Sequence, residues 1–507
     1  MSKYVQQDDT LIPVLTVEET LAYSARFYSV DEDVVQERVE DAISMLGLEG
    51  QRKTIVGNAI LRGLSGGQKR RLSAGNELVA SPRILFLDEL TSGLDSTAAA
   101  AVMHSLHDVA KVKNITMLLT IHQPAEQLFR LSSRLLLLSG GRTAYCGPSA
   151  GAVAHFAALG QPVPEMTSSS EYLLDLVNAD FSDAQKVKNL VDAWETSPAC
   201  EALDREMREQ KEVTHAPLAA RKELHTGTGF GRQLSVLTRR VFLNAWRNPL
   251  VIWLRLAMYV ALSIMIGTVW LQIGDGADVI VDIIGVIFFV AAFMVFMSVS
   301  VLPAFLEEKA VFVKERANGA YGSSAFVLAH TIVDLPFMLL QATVCGCLVY
   351  FLVGLNDAPG RFGFFLLDLF LSFMVAESIM LVVSSVVPVA IVGIALGAMI
   401  YGAFMVVQGF FIKIENIGWW WRWMHYIGMH SYSFSAFMKN EFKGRVFKAV
   451  PNASGGPVPE MRGDDVLRMY SFEDTDIWAN MAVLVAMVVA YRVLAAWHMH
   501  AYHTGKK

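Results

Sequence analysis

The sequence predicts an α/β domain with a helical subdomain, followed by an all-α membrane domain of six helices. Three observations carry that expectation. The run from Arg62 to Ser96 sets glycines, a short apolar strand and two carboxylates in an order that suits phosphate chemistry. The 507 residues are 53% hydrophobic and only 18% charged, too apolar for an ordinary soluble enzyme. After residue 250 the chain runs through six apolar stretches of the roughly 20-residue length that crosses a bilayer. The formal net charge of -6 leaves no general footprint for nucleic acid. Cys146, Cys200, Cys345 and Cys347 show no zinc spacing and imply no disulfide framework.

In chain order, Thr16 to Leu48 reads as helices, with Thr16 and Glu19 forming a capping box and Asp31 capping the next helix. Leu64-Ser65-Gly66-Gly67-Gln68 puts a hydroxyl and two glycines at a helix start, where free N–H groups and the positive dipole end suit a phosphate. Ser81-Pro82 ends that helix. Ile84 to Leu87 reads as a strand buried on both faces that delivers Asp88 and Glu89 to the mouth of a parallel sheet. Paired carboxylates there suit Mg²⁺ binding and water activation. Ser96 to Ala110 is an alanine-rich helix, and Ile115 to Ile121 a second buried strand that brings His122 to the same sheet edge. Arg134 to Leu138 is expected to continue the sheet, and Gly140-Gly141 to turn it into a strand at Thr143 to Cys146.

Taken singly, SGGQ or a strand ending in Asp-Glu is a weak signal. In this order and spacing, LSGGQ, Asp88-Glu89, Ser92-Gly93-Leu94-Asp95 and His122 resemble the nucleotide-binding domain of ABC transporters. GNAILRGLSGGQKRR and ELTSGLDS look like the G subfamily, the white-type half transporters whose ATPase domain precedes the membrane domain. The α/β part is then a partial P-loop NTPase domain of the ABC type. The resemblance implies Glu89 as general base, His122 as a γ-phosphate contact, and Asp88 as the carboxylate that holds Mg²⁺ through water. Gln7, within Tyr4 to Thr20, takes the place of the glutamine that senses Mg²⁺ and the γ-phosphate. Ser65, Gly66, Gly67 and Gln68 would meet the ATP of a second subunit, with Asp95 in the nucleotide-contacting set and Lys69, Arg70 and Arg71 serving that same nucleotide. Leu90 stands where the family usually has proline. The family's phosphate loop, G-x-x-x-x-G-K-[ST], has no match in the 507 residues. The front of the domain is therefore expected to be missing, through a fragmentary sequence or a degenerate half.

The remainder divides into the nucleotide-binding part (1–225), a connecting helix (226–249) and a transmembrane domain (250–507). Ser168 to Phe181 looks like the segment that closes the ATPase domain, and Asp204 to Lys222 reads as a solvated linker. Gly229 to Asn248 is an amphipathic basic helix whose Arg232, Arg239, Arg240 and Arg247 suit the inner membrane surface. The spans fall at about 250–272, 280–304, 327–355, 362–387, 389–412 and 476–498. Arg239, Arg240, Arg247, Lys309, Lys314, Arg316, Lys506 and Lys507 fix the cytosolic side.

Between the second and third spans, ERANGAY resembles the family's coupling segment and points to Glu315, Arg316 and Tyr321. Glu377, mid-span, is a functional candidate by position, with a structural hydrogen-bonding role favoured. Gly393, Gly397 and Gly402 suggest a dimer seam. Phe288, Phe289, Phe293, Phe296, Phe404, Phe410 and Phe411 either line an apolar central cavity or simply pack. The loop at about 413–475 is expected outside, carrying the sequon at Asn452, whereas the one at Asn114 should be unused. Trp419 to Tyr426 has bilayer-interface character, and His498, His500 and His503 read as a membrane-boundary tail rather than a metal site.

These expectations combine into an integral membrane, ATP-driven exporter half, acting as a homo- or heterodimer on a lipid-like or amphipathic substrate, with ATP and Mg²⁺ as cofactors. The alternative is a non-hydrolysing partner or regulatory subunit that lends only its signature to a complete half transporter.

Overall fold

The computed structural model describes residues 2–58, 60–122, 126–179, 182–213, 228–249, 251–451 and 457–503. Its contacts divide the chain into two compact units, Met1–Gly229 and Phe230–Lys507.

In the first unit, local chemistry places the helices. Strand β1 (Ser2–Val5) leads to α1 (Val17–Arg26), which starts with the expected capping box: Glu19 N donates to Thr16 Oγ1 at 3.2 Å, and Thr16 N donates to Glu19 Oε2 at 3.0 Å. Asp31 caps α2 (Glu32–Met45), Ser65 caps α3 (Gly66–Leu78), and Asp95 caps α4 (Ser96–Lys113). β1, β2 (Ile84–Asp88) and β3 (Thr116–Thr120) form a parallel sheet with β2 central. Its register sets Val5 beside Leu87 and Asp88 beside Thr120, so the three carboxyl ends lie together. Leu85 and Leu87 join Val5, Leu72, Val102 and Leu106 in a shared core.

Two expectations about this sheet fail. The strands are not buried on both faces: Ile84, Phe86 and Leu118 are 41%, 37% and 54% exposed. The described helices cover one face only, and alternation sends every second apolar side chain to the other. Nor does Arg134 continue the sheet. After α5 (Glu126–Leu131), β4 (Arg134–Ser139) and β5 (Arg142–Pro148) form a separate antiparallel pair. Apolar runs announce strands but not their partners. This pair packs with α6 (Ser149–Ala158), α7 (Ser169–Val177) and α8 (Ala184–Glu195) around Tyr145, Phe156, Leu173 and Trp194. The expected linker is in part α9 (Pro198–Val213); Asp180, Phe181 and residues 214–227 lie outside the described residues.

The second unit opens with α10 (Phe230–Arg247). Among the described residues, four helical segments have the length and apolarity to cross a membrane: Ala277–Ala317, Ser323–Val353, Arg361–Val386 and Ile477–Tyr502. Trp253–Val269 and Ala390–Val406 are apolar but shorter. Numbered in order, α11 is Trp253–Val269, α12 Ile280–Phe288, α13 Leu302–Ala317, α14 Ser323–Val353, α15 Arg361–Val386 and α16 Ala390–Val406. α17 (Trp419–Ile427), α18 (Met429–Phe442), α19 (Gly463–Met469) and α20 (Ile477–Tyr502) follow. A π-helical segment at Phe289–Met294 and a 3-10 segment at Met297–Val301 join α12 to α13.

Several membrane expectations are corrected. The charged connection between the second and third spans, whose secondary structure the sequence left open, is largely helix, because Leu302, Phe305, Val311 and Phe312 recur at helical spacing and are buried. Gly393 and Gly397 face their own chain: an added Cβ would come within 2.2 Å of Leu302 Cδ2 and 2.8 Å of Met380 Cε, so these glycines admit α13 and α15 rather than a second copy. Gly402 faces open space. The phenylalanine row packs on itself, with Phe288 and Phe410 centroids 4.4 Å apart and Phe293 and Phe296 stacked at 6.2 Å. Arg240 does not face a membrane surface; it is buried. α17 exposes Trp419, Trp420, Trp421, Trp423 and Tyr426. Asn452, Lys506 and Lys507 lie outside the described residues.

Candidate functional site

The carboxyl ends of the three parallel strands build the polar centre of the first unit. Just beyond β1, Gln7 Nε2 donates to Glu89 Oε2 at 2.7 Å. Beyond β3, His122 Nε2 donates to Glu89 Oε1 at 2.6 Å. Both oxygens of Glu89 thus receive hydrogen bonds from side chains 82 and 33 residues away in sequence. The Glu89 carboxylate is 20% exposed and the His122 ring 83% exposed. Glu89 holds φ +45°, the left-handed region that non-glycine residues rarely occupy outside functional sites.

Thr120, which the sequence reading did not single out, holds that geometry. Its hydroxyl donates to Asp88 Oδ1 at 2.8 Å and accepts from Glu89 N at 3.0 Å. Tyr4, noted there only as the start of a segment, donates its hydroxyl to Asp88 Oδ2 at 2.5 Å. The Asp88 carboxylate raises the Tyr4 phenol to about 12, first by accepting that hydrogen bond and then through partial burial and its charge. The available signal was register: a hydroxyl two residues before His122 falls opposite Asp88 if the strands are parallel.

Ser65 and Gln68 engage each other. Gln68 N donates to Ser65 Oγ at 3.4 Å, and Ser65 N donates to Gln68 Oε1 at 2.9 Å. Gly66 is exposed at the start of α3, and an added Cβ on Gly67 would approach Ala98 Cβ at 3.3 Å. Asp95 Oδ1 accepts from Ala98 N at 2.7 Å. The neighbouring cations also bond within the chain. Lys69 donates to Gly57 O at 2.8 Å, and Arg71 to Leu46 O at 2.7 Å. Arg70 donates to Gln7 O and pairs with Asp9 at 3.3 Å, tying α3 to the segment after β1.

The donor set fits a magnesium nucleotide. Two adjacent carboxylates and an amide are hard oxygen ligands at the carboxyl edge of a parallel sheet, and the partners of Asp88 and Glu89 are hydroxyl, amide and imidazole groups.

The second unit carries its charges differently. Arg240 of α10 binds Glu315 of α13 through two bonds, at 2.5 and 2.7 Å, and reaches Tyr321 Oη at 3.1 Å; Tyr321 also donates to Glu315 at 2.5 Å. Arg316 turns away to Met499 O at 2.5 Å and His500 O at 3.0 Å. Glu377 pairs with Arg255 at 3.1 Å, both almost fully buried. Arg492 binds Asp334 at 2.9 Å and Ser378 at 3.0 Å. A cavity of about 50 Å³ touches Arg255, Asp334, Gln341 and Glu377, and Arg255 Nε, Gln341 Nε2 and Glu377 Oε2 are buried there without a hydrogen-bond partner. That is room for a few waters to satisfy them.

The family described as ABC transporter matches residues 2–92, and the family described as ABC-2 type transporter matches residues 232–442. The chain is 35% identical to ABC transporter G family member 11 of Arabidopsis thaliana, in an alignment covering 97% of this chain and 73% of that protein. It is 34% identical to ABC transporter G family member 1 of Petunia hybrida, covering 97% and 78%. ABC transporter G family member 13 of Arabidopsis thaliana is 31% identical, again covering 97% and 78%.

Proposed function

The chain belongs to the G family of ABC transporters, and from that premise we propose that it is one half of a dimeric, ATP-driven exporter of a lipid-like or amphipathic substrate. The observation that carries the proposal is the meeting of Gln7, Asp88, Glu89, Thr120 and His122 at one sheet edge, in a chain whose second unit is built from apolar helices.

In this reading Glu89 would be the general base: its carboxylate would accept the proton of the attacking water as the water's oxygen bonds to the γ-phosphorus and the bond to the β–γ bridging oxygen breaks, ADP leaving with that electron pair. Gln7 and His122 hold that carboxylate in line, and His122 also contacts the γ-phosphate. Bound Mg²⁺·ATP supplies the electrophilic phosphoryl group. Asp88 and Gln7 would hold the metal, partly through water. Ser65 fits the task of reaching a second subunit's nucleotide, because its hydroxyl accepts the Gln68 amide and keeps its own proton free to donate. Gly66, Gly67 and Gln68 would flank that contact, and Asp95 orders the loop before α4.

The membrane part would use six helices, the two shorter ones included. At 1.5 Å per residue a 17-residue helix is about 26 Å long, close to the roughly 30 Å apolar core. Both ends of the chain and the nucleotide site would then be cytosolic, and residues 413–475 external. The division at 225 and 249 assigns α10 to the connection, and its Arg240 clamp on Glu315 and Tyr321 supports a coupling role for those residues together with Arg316.

The test is ATP turnover in proteoliposomes by the chain joined to an upstream segment that carries a phosphate loop, as wild type, Glu89→Gln and Ser65→Arg. Loss of turnover in both variants is expected. Turnover unaffected by either would overturn the proposal.

A further inference from the structure

The charged groups at one end of the second unit do not balance. Lys309 of α13 donates to Ser384 O and Val387 O, both at 2.7 Å, and His503 Nε2 lies 2.8 Å from Ser385 O. Three carbonyls at the C-terminus of α15 therefore hold two basic side chains. Arg316 does the same for the C-terminus of α20, through Met499 O and His500 O, and its guanidinium lies 3.4 Å from His500 Nδ1. The rings of His498 and His503 are 5.9 Å apart, with Lys309 within electrostatic reach of His498. Lys309, Arg316, His498, His500 and His503 thus form one basic cluster across two helix ends.

Among the described residues of the second unit, no carboxylate forms an ion pair with it. On α13, Glu308 is bound by His330 and Asn244, and Glu315 by Arg240 and Tyr321, while Glu307 is exposed and, among the described residues, in no ion pair. Residues 378–414, which span the end of α15 and all of α16, contain no Asp or Glu, and neither do residues 477–507, which include α20. A helix C-terminus carries about half a negative charge, so two of them offset about one of the two permanent cations. About one positive charge is left, before any histidine is protonated. Lys309, Arg316 and His503 are half-buried and His500 is exposed, so an outside anion can approach.

We propose that this cluster binds the phosphodiester headgroup of an anionic membrane phospholipid. A monovalent phosphodiester matches the residual charge, and basic side chains gathered at the ends of membrane helices attract anionic headgroups. The location in the cytosolic leaflet rests on the topology proposed above; the binding itself does not.

The experiment measures fluorescent phosphatidylglycerol bound to the full chain in zwitterionic micelles without nucleotide, so failure here is separable from failure of the transport reading. Unlabelled phosphatidylglycerol should compete, and phosphatidylcholine or inorganic phosphate at the same concentration should not. Removing one cation, as in Lys309→Gln or Arg316→Gln, should weaken binding about five-fold, and Lys309→Arg should restore it. Equal competition by phosphatidylcholine would reveal a non-selective lipid surface and overturn the proposal, as would equal competition by phosphate, which would reveal a free-anion site. Should the glutamine variants not fold, a photoreactive phosphatidylglycerol on the wild-type chain decides. Label on residues 309–316 and 498–503 is expected, and label elsewhere overturns the assignment.

Discussion

The carboxylates of the two units keep different company. Glu89 and Asp88 are held by an amide, an imidazole and two hydroxyls, at a partly open edge and on a strained backbone. Glu377, Glu315 and Asp334 are each held by an arginine inside a helical bundle. A carboxylate among uncharged donors keeps a reactive lone pair at little cost to folding. One locked to a guanidinium is committed to the structure, because separating the pair leaves a buried charge unanswered. The prediction follows that the first group can be changed with loss of chemistry and not of fold, and the second with the reverse.

With a phosphate-loop segment restored upstream, the largest effect should come from Glu89→Gln. The amide keeps the size of the side chain but cannot accept the water's proton, so turnover should fall about 10²–10⁴-fold. Thermal unfolding of the chain should stay close to wild type. A large loss of stability would place Glu89 with the structural carboxylates and break the contrast.

Next comes Glu377→Ala, which strands Arg255 inside the bundle. Breaking such a pair costs about 3–5 kcal/mol, visible as a fall in the unfolding temperature of the purified protein. Replacing both partners, Arg255→Met with Glu377→Leu, should recover most of the loss. If the double variant were as unstable as the single one, the buried ion pair would be doing more than satisfying its own charges.

Gly397→Ala sharpens the membrane side at a smaller scale. Its methyl group would meet Met380 Cε at 2.8 Å, the movable end of a flexible side chain, so the loss should sit at the low end of the about 1–3 kcal/mol that overpacking costs. Because the crowding lies within one chain, the loss should be the same in monomeric and associated protein, judged by unfolding across a range of concentrations. A loss that grows with dilution would return Gly397 to a seam between copies.

What the sequence made legible was local. Thr16 with Glu19, and Asp31, are caps because a hydroxyl or carboxylate a few residues from an amide needs no knowledge of the fold. The strand ending at Asp88 was legible for the same reason. Pairings across distance were not: Arg255 finds Glu377 across 122 residues, and Arg492 finds Asp334 across 158. Charge in an apolar helix shows that a partner is needed, not which one. The segment at 305–317 shows the same limit: Glu308, Lys309 and Glu315 are each met inside the unit, by partners that the charges alone do not name.

Thr120 belongs to that second class, and its substitution tests the finest part of the contrast. One hydroxyl serves both site carboxylates: it donates to Asp88 Oδ1 and accepts the amide of Glu89, whose backbone lies in the left-handed region. Thr120→Val keeps the shape and removes both bonds. A hydrogen bond to a charged group is worth about 1.5–3 kcal/mol, and exposure of Thr120 brings the effect toward the low end. Turnover should therefore fall about ten-fold, roughly 1.4 kcal/mol, with little change in unfolding temperature. Thr120→Ser retains the oxygen and should recover most of the activity, which a role confined to packing the β-branched side chain would not allow. If valine and serine behaved alike, Thr120 would be a strand residue that happens to lie beside the carboxylates, and the geometry of Glu89 would have to be held by Gln7 and His122 alone.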